Sequence, residues 1–279
     1  IGQMTDGTAT PGEPVLVSSD AQGKEFFGRG SMLALMTTAF RANNTVGELW
    51  AIPLSDPSGG AKASGTFTIT GSANEAGVIF AYIGATRIAV AVPQGTTAAQ
   101  AAVSLSNAIN ARNDLPMTAT AADGEDKSTV TVQAKNAGAY GNDIKIALNL
   151  NGVASGEVLP DGLNVEASKV SGGAGVVEFD PIKTAMGSDE YDFIAFPYAD
   201  YTLLREMGDL MGDDTGRWSY TSQIYGHVYC AKRGTVQELV TFGESLNDQH
   251  LTVFAVEPGM PQHPVEVLGA YVGKTYTAI

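Results

Sequence analysis

Three histidines (His227, His250 and His263), a single cysteine (Cys230) and two glycine-rich stretches hold most of the chemistry open to this chain. A serine hydrolase needs its nucleophile on a sharp strand-to-helix turn, with a histidine and an oxyanion hole in reach. No G-x-S-x-G occurs; Gly243-Glu244-Ser245-Leu246-Asn247 comes nearest and fails at its last position. No two histidines have the H-x-x-x-H spacing of a zinc helix. One cysteine excludes a cysteine-cluster metal site and an internal disulfide framework. Gly28-Arg29-Gly30 starts like a dinucleotide fingerprint, but Leu33 stands where the third glycine belongs. The stretch also lies between two helical patterns, whereas the fingerprint must follow a strand. Gly269 to Gly273-Lys274-Thr275 has three spacers where a phosphate loop has four. It falls in a helical stretch, where backbone amides cannot wrap a phosphate.

The acidic groups are no more specific. Asp209, Asp213 and Asp214 crowd a helix C-terminus, where the macrodipole disfavours anions. No calcium-loop spacing follows them. Asp123, Glu125 and Asp126 share a turn. Both groups read as solvated charge. His227 starts a buried strand and is expected to bond locally, and Cys230 reads as a small buried hydrophobe. The expectation is a chain with no catalytic residue, no cofactor-binding residue and no metal ligand.

The elements around these residues fall into three stretches. In the first, Glu13–Ser18 reads as a short strand. Ser19 or Asp20 caps a helix ending near Phe27, and Ser31 to Asn43 is a better helix. There Met32, Leu35, Met36 and Ala39 recur at the spacing of one face. Leu49–Ile52 is the next strand. The middle stretch alternates with period two, as half-buried strands do: Thr66–Thr70, Val78–Ile83, Arg87–Val92, Thr118–Ala121, Val130–Val132, Ile144–Leu148 and Val165–Val170. Gly84-Ala85 turns a hairpin, and Thr97 caps one helix of about 15 residues. The last stretch returns to strand–helix alternation, which implies parallel strands with crossover helices. Asp200 caps a helix, and Thr235 with Glu238 forms a capping box. With the first 56 residues this predicts about five strands of a doubly wound sheet.

Charge and aromatic content divide along the same lines. Residues 57–175 hold 7 Lys and Arg against 9 Asp and Glu, and the other 160 residues hold 9 against 21. The middle therefore carries a net −2 and the flanks −12. Only four aromatics, Phe67, Phe80, Tyr82 and Tyr140, lie in the middle, and both tryptophans lie outside it. Gly and Ser punctuate both borders, at 58–60 and 171–175. The reading is a discontinuous α/β body, 1–56 and 176–279, with residues 57–175 as an inserted, mostly antiparallel β domain carrying one helix. A net charge of −14 argues against nucleic-acid binding. The absence of any run of about 18 apolar residues argues against membrane insertion by a helix.

Phe27-Gly28-Arg29-Gly30-Ser31, Glu48-Leu49-Trp50-Ala51 and the stretch from Arg217 to Thr235 resemble the tail sheath proteins of Mu-type contractile-tailed phages and prophages. The resemblance covers both flanks. It implies a body subtilisin-like in topology but non-catalytic, and an outer domain decorating the sheath surface. It further implies hexameric rings around an inner tail tube protein, with a baseplate and a tail terminator at the ends. Contraction would drive the tube through the host envelope during genome delivery. The expected location is the virion tail, after assembly in the host cytoplasm. By the same resemblance the chain begins inside the body and stops where a C-terminal domain would follow. It would then be a core fragment that stays monomeric without interlocking strands. Two other sheath settings stay open: a phage-tail-like bacteriocin and a secretion machine. A subtilisin-like hydrolase with displaced catalytic residues is the enzymatic rival. A carbohydrate-binding module on the Thr-rich block is a third reading, poorly served by four aromatics.

Overall fold

The computed structural model describes residues 1–122 and 127–277. Its contacts divide into two compact units, one of Ile1–Pro57 with Val177–Ile279, the other of Ser58–Val176. The acidic turn Asp123–Asp126 lies outside the described residues.

The first unit opens with β1 (Gly2–Gln3), β2 (Val15–Leu16), α1 (Asp20–Phe27) and α2 (Met32–Asn43). Ser19 and Ser31 cap the two helices, accepting from Gln22 N and Ala34 N at 3.2 Å. Each bond satisfies an amide that the first helical turn leaves unpaired. β3 (Trp50–Ala51) and β4 (Pro53–Leu54) follow. The sequence predicts one strand over Leu49–Ile52, but the chain changes partners there. β3 pairs antiparallel with β2, and β4 pairs parallel with β1. Pro53 has no N–H to give and so favours a break in the ladder.

The second unit comprises β5 (Ser64–Gly71), β6 (Gly77–Ile83), β7 (Thr86–Val92), α3 (Ala98–Asn110), β8 (Met117–Ala122), β9 (Lys127–Ala134), β10 (Ile146–Leu148) and β11 (Leu163–Ala167). All named pairings are antiparallel, but they form two sheets, in the orders β11-β5-β9-β8 and β10-β6-β7. Residues 72–76 turn the chain between β5 and β6: Ala73 N bonds Thr96 O at 3.0 Å and Asn74 N bonds Asp161 O at 2.7 Å. Thr97 caps α3 with a reciprocal Gln100 bond. The inward residues Phe67, Ile69, Ile79, Leu105, Ile109, Val130 and Val132 are completely buried in one core.

Returning to the first unit, the chain forms α4 (Asp180–Met186), β12 (Phe193–Ala195), α5 (Tyr201–Met211), β13 (His227–Arg233), α6 (Val236–Leu246), β14 (Leu251–Val256) and α7 (Pro264–Thr277). β12, β13 and β14 are parallel, with α5 and α6 as the crossovers that parallel strands require. The expected sheet of about five strands is thus a three-stranded parallel sheet beside two two-stranded ribbons. Two-residue strands carry too few backbone bonds to enforce one continuous ladder. α7 packs against α2, and the glycines of the phosphate-loop look-alike explain how closely. A Cβ added at Gly269 would collide with Met36 O, and one at Gly273 would lie 2.9 Å from Phe40 O.

Candidate functional site

The structure brings two of the three histidines together. His227 Nε2 shares a hydrogen bond with Thr252 Oγ1 at 2.8 Å, which ties β13 to β14. Burial, then the neighbouring His250, lowers the His227 pKa against an opposing pull from Asp248. The ring is therefore neutral at pH 7. His250 is buried with its ring 4.9 Å from that of Trp218, and its Nε2 lies 3.3 Å from Asp213 Oδ1. His263 stands apart at the start of α7. Its Nδ1 accepts from Val265 N at 3.2 Å, while Glu266 accepts from His263 N at 2.9 Å. This is a reciprocal cap built with an imidazole, and it occupies the ring in holding the helix end.

The other singled-out residues scatter. Cys230 is buried in β13, and burial pushes its thiol up to about 12. A thiol so reluctant to ionise is no nucleophile at neutral pH. Ser245 Oγ donates to Phe242 O within α6. Gly28 ends α1 at φ +80°, and Gly30 has φ +76°. At Gly28 a Cβ would also strike Thr5 Oγ1. These glycines therefore shape a tight helix-to-helix turn. Asp213 faces His250 and Gln249, and Asp209 and Asp214 sit at the end of α5. Among the described residues no three His, Cys, Asp or Glu side chains converge as metal ligands. Nor is any described helix long and apolar enough to cross a membrane.

Several functional-looking residues escaped the sequence. Glu157, buried in the second unit, accepts from Tyr82 Oη, from Asn151 N at 3.0 Å and from Asn151 Nδ2 at 3.1 Å, with Arg87 at 3.6 Å. Burial alone would raise its pKa, but the bonds from Tyr82 and Asn151 outweigh it and hold the carboxyl below its usual range. In the first unit, buried Arg41 donates to the carbonyls of Asn44, Gly47 and Val17. Buried Arg217 donates to those of Gly187 and Asp189. Both guanidiniums bind backbone oxygens and so act as clamps on turns. Tyr82 and Glu157 are 75 residues apart, so no local signal could pair them. The first unit also carries an open cleft of about 640 Å³ between α2, α7, β3 and the β12 segment. None of the three histidines lines it.

An acidic α/β unit that holds the three histidines and a separate all-antiparallel unit make a mixed α/β protein. No family model matches the chain. The chain is 36% identical over 253 residues, 91% of its length, to the Mu-like prophage FluMu tail sheath protein of Haemophilus influenzae. The resemblance to tail sheath proteins is borne out by this relative. The chain belongs with the phage tail sheath proteins of Mu-like prophages, and it spans about half the length of that relative.

Proposed function

We propose that the chain is a structural subunit of a contractile phage tail sheath and catalyses nothing. The observation that carries this reading is the 36% identity across nearly the whole chain to a prophage tail sheath protein. In this reading the unit of flanking segments is the sheath body, subtilisin-like in topology. The unit of residues 57–175 is an outer domain inserted into it. Subunits stack as hexameric rings around the tail tube protein, between baseplate and terminator, in the virion tail. Their contraction drives the tube through the host envelope, with the working free energy held in subunit interfaces that have two stable packings. A turn-clamping Arg41 and Arg217 suit that task, since a body that moves as a rigid block transmits force.

Immunogold labelling of tailed particles with antibodies against this chain is the test. Label repeated along the tail is the expected result; label confined to heads or to free protein defeats the proposal. In dilute solution the body's net −12 resists self-association. Light scattering should therefore report a monomer near 29.0 kDa.

A further inference from the structure

The 279 residues hold a single asparagine–glycine pair, Asn151-Gly152. It lies on the loop between β10 and β11, within the second unit. Such a pair is prone to deamidation, because glycine has no side chain to shield its nitrogen from the asparagine amide before it. Here a Cβ at Gly152 would meet nothing within 4 Å, and Asn151 is exposed, so water reaches both residues.

The folded loop restrains both reacting groups. Gly152 N donates to Asn149 O at 2.9 Å, which occupies the proton that the nitrogen must lose. Asn151 Nδ2 donates to Tyr82 Oη at 2.7 Å and to Glu157 Oε1 at 3.1 Å. Glu157 Oε2 accepts from Asn151 N at 3.0 Å. Tyr82 and Glu157 are only 3% and 1% exposed, and they bond each other. Arg87, 54% exposed, brings positive charge within 3.6 Å of the Glu157 carboxylate. A buried anchor on β6 thus holds an exposed, reactive amide.

We propose that Asn151-Gly152 is a self-modification site, a deamidation clock that the Tyr82–Glu157 pair holds back and whose product frees the loop irreversibly. When the loop opens, Gly152 N gives up its proton and attacks Asn151 Cγ. The N–Cγ bond forms, the Cγ–Nδ2 bond breaks, and ammonia leaves with the proton. Water then opens the cyclic imide at either carbonyl, giving aspartate or isoaspartate. No oxidant or reductant is needed. The product side chain only accepts hydrogen bonds, so Tyr82 and Glu157 both lose their donor. It also sets a second carboxylate beside Glu157, a like-charge pair with Arg87 as its nearby cation. The loop cannot close again on those terms. The device is defined by its own residues, whether or not the chain serves in a tail.

The test incubates the intact protein at neutral pH, native and in denaturant, and follows its peptides by mass spectrometry. In the denatured chain Asn151 should convert before any other asparagine. In the native protein it should convert at least about tenfold more slowly, because reaction waits on local opening. Tyr82→Phe removes one acceptor and should speed native conversion about threefold, with the denatured rate unchanged. Arg87→Gln should speed it to a smaller extent. Its half-exposed position spares the core, so it serves as the second probe where circular dichroism shows Tyr82→Phe unfolded. Converted protein, and the variant Asn151→Asp, should be cut by thermolysin within residues 149–158 about tenfold faster than fresh protein. Equal native and denatured rates, or a native rate unchanged in both folded variants, overturns the proposal. So does earlier conversion of another asparagine, or thermolysin cutting that conversion does not speed.

Discussion

The two units reach stability by different routes. In the second, long antiparallel strands alternate in and out, and every inward position from Phe67 to Val132 feeds one closed core around α3. The first unit has two-residue strands, three parallel ones, and a helix, α6, in which only Leu246 is buried. Its coherence rests on a tight α2–α7 contact and on arginine side chains that bond carbonyls. Periodic patterning builds a self-sufficient unit. A body of short strands and clamped turns leaves edges, a cleft and a helix face open, and those are the features an assembling protein needs.

The sharpest way to break this comparison is to damage one core and watch both. Phe67→Ala should destabilise the second unit by about 3–5 kcal/mol. In a denaturant titration followed by circular dichroism and tryptophan fluorescence, the tryptophan signal should hold its midpoint, since both tryptophans lie in the first unit. Two signals that shift together would show one cooperative structure. The converse variant is Gly269→Val, which drives side-chain atoms into the Met36 carbonyl. An overpacked contact of this kind should cost about 1–3 kcal/mol, visible in the tryptophan transition.

Smaller effects sharpen the contrast. Thr97→Ala and Thr235→Ala each delete the side-chain half of a capping box. Each should cost about 1 kcal/mol of helix stability. The Thr97 variant should lower the second unit's midpoint. α6 is so little buried that Thr235→Ala should chiefly raise local amide exchange in residues 236–246. Last comes pH. Because the His227 pKa is lowered on folding, the unfolded chain binds the proton first as pH falls. The associated stability is fully present above the ordinary value of 6.5 and is lost below it, towards the folded value. The tryptophan-reported midpoint should fall between pH 7 and 5, and His227→Gln should remove this contribution. A midpoint that rises on acidification would contradict the assignment.

Helix starts were legible because capping is local. Ser31, Thr97, Asp200 and Thr235 each satisfy amides within three residues, and each caps the helix its position predicts. The strand positions of the middle stretch were legible for a similar reason, since alternation is written along the chain. Partner choice was not. That β10 joins β6, or that Leu49–Ile52 divides between two ribbons, depends on contacts far apart in sequence.

By itself the sequence determined the helix caps, the alternating strands, the uneven charge and the kinship with tail sheath proteins. Each of these is carried by neighbouring residues or by their order. Only the tertiary structure decided that two sheets share one core, that Glu157 meets Tyr82, that Arg217 clamps the distant carbonyls of Gly187 and Asp189, and that Glu48, Asp189, Glu190 and Asp192 line one cleft with Leu33 and Val272. Those features join segments tens to hundreds of residues apart. No local propensity encodes them, because their free energy arises only when the whole chain has packed.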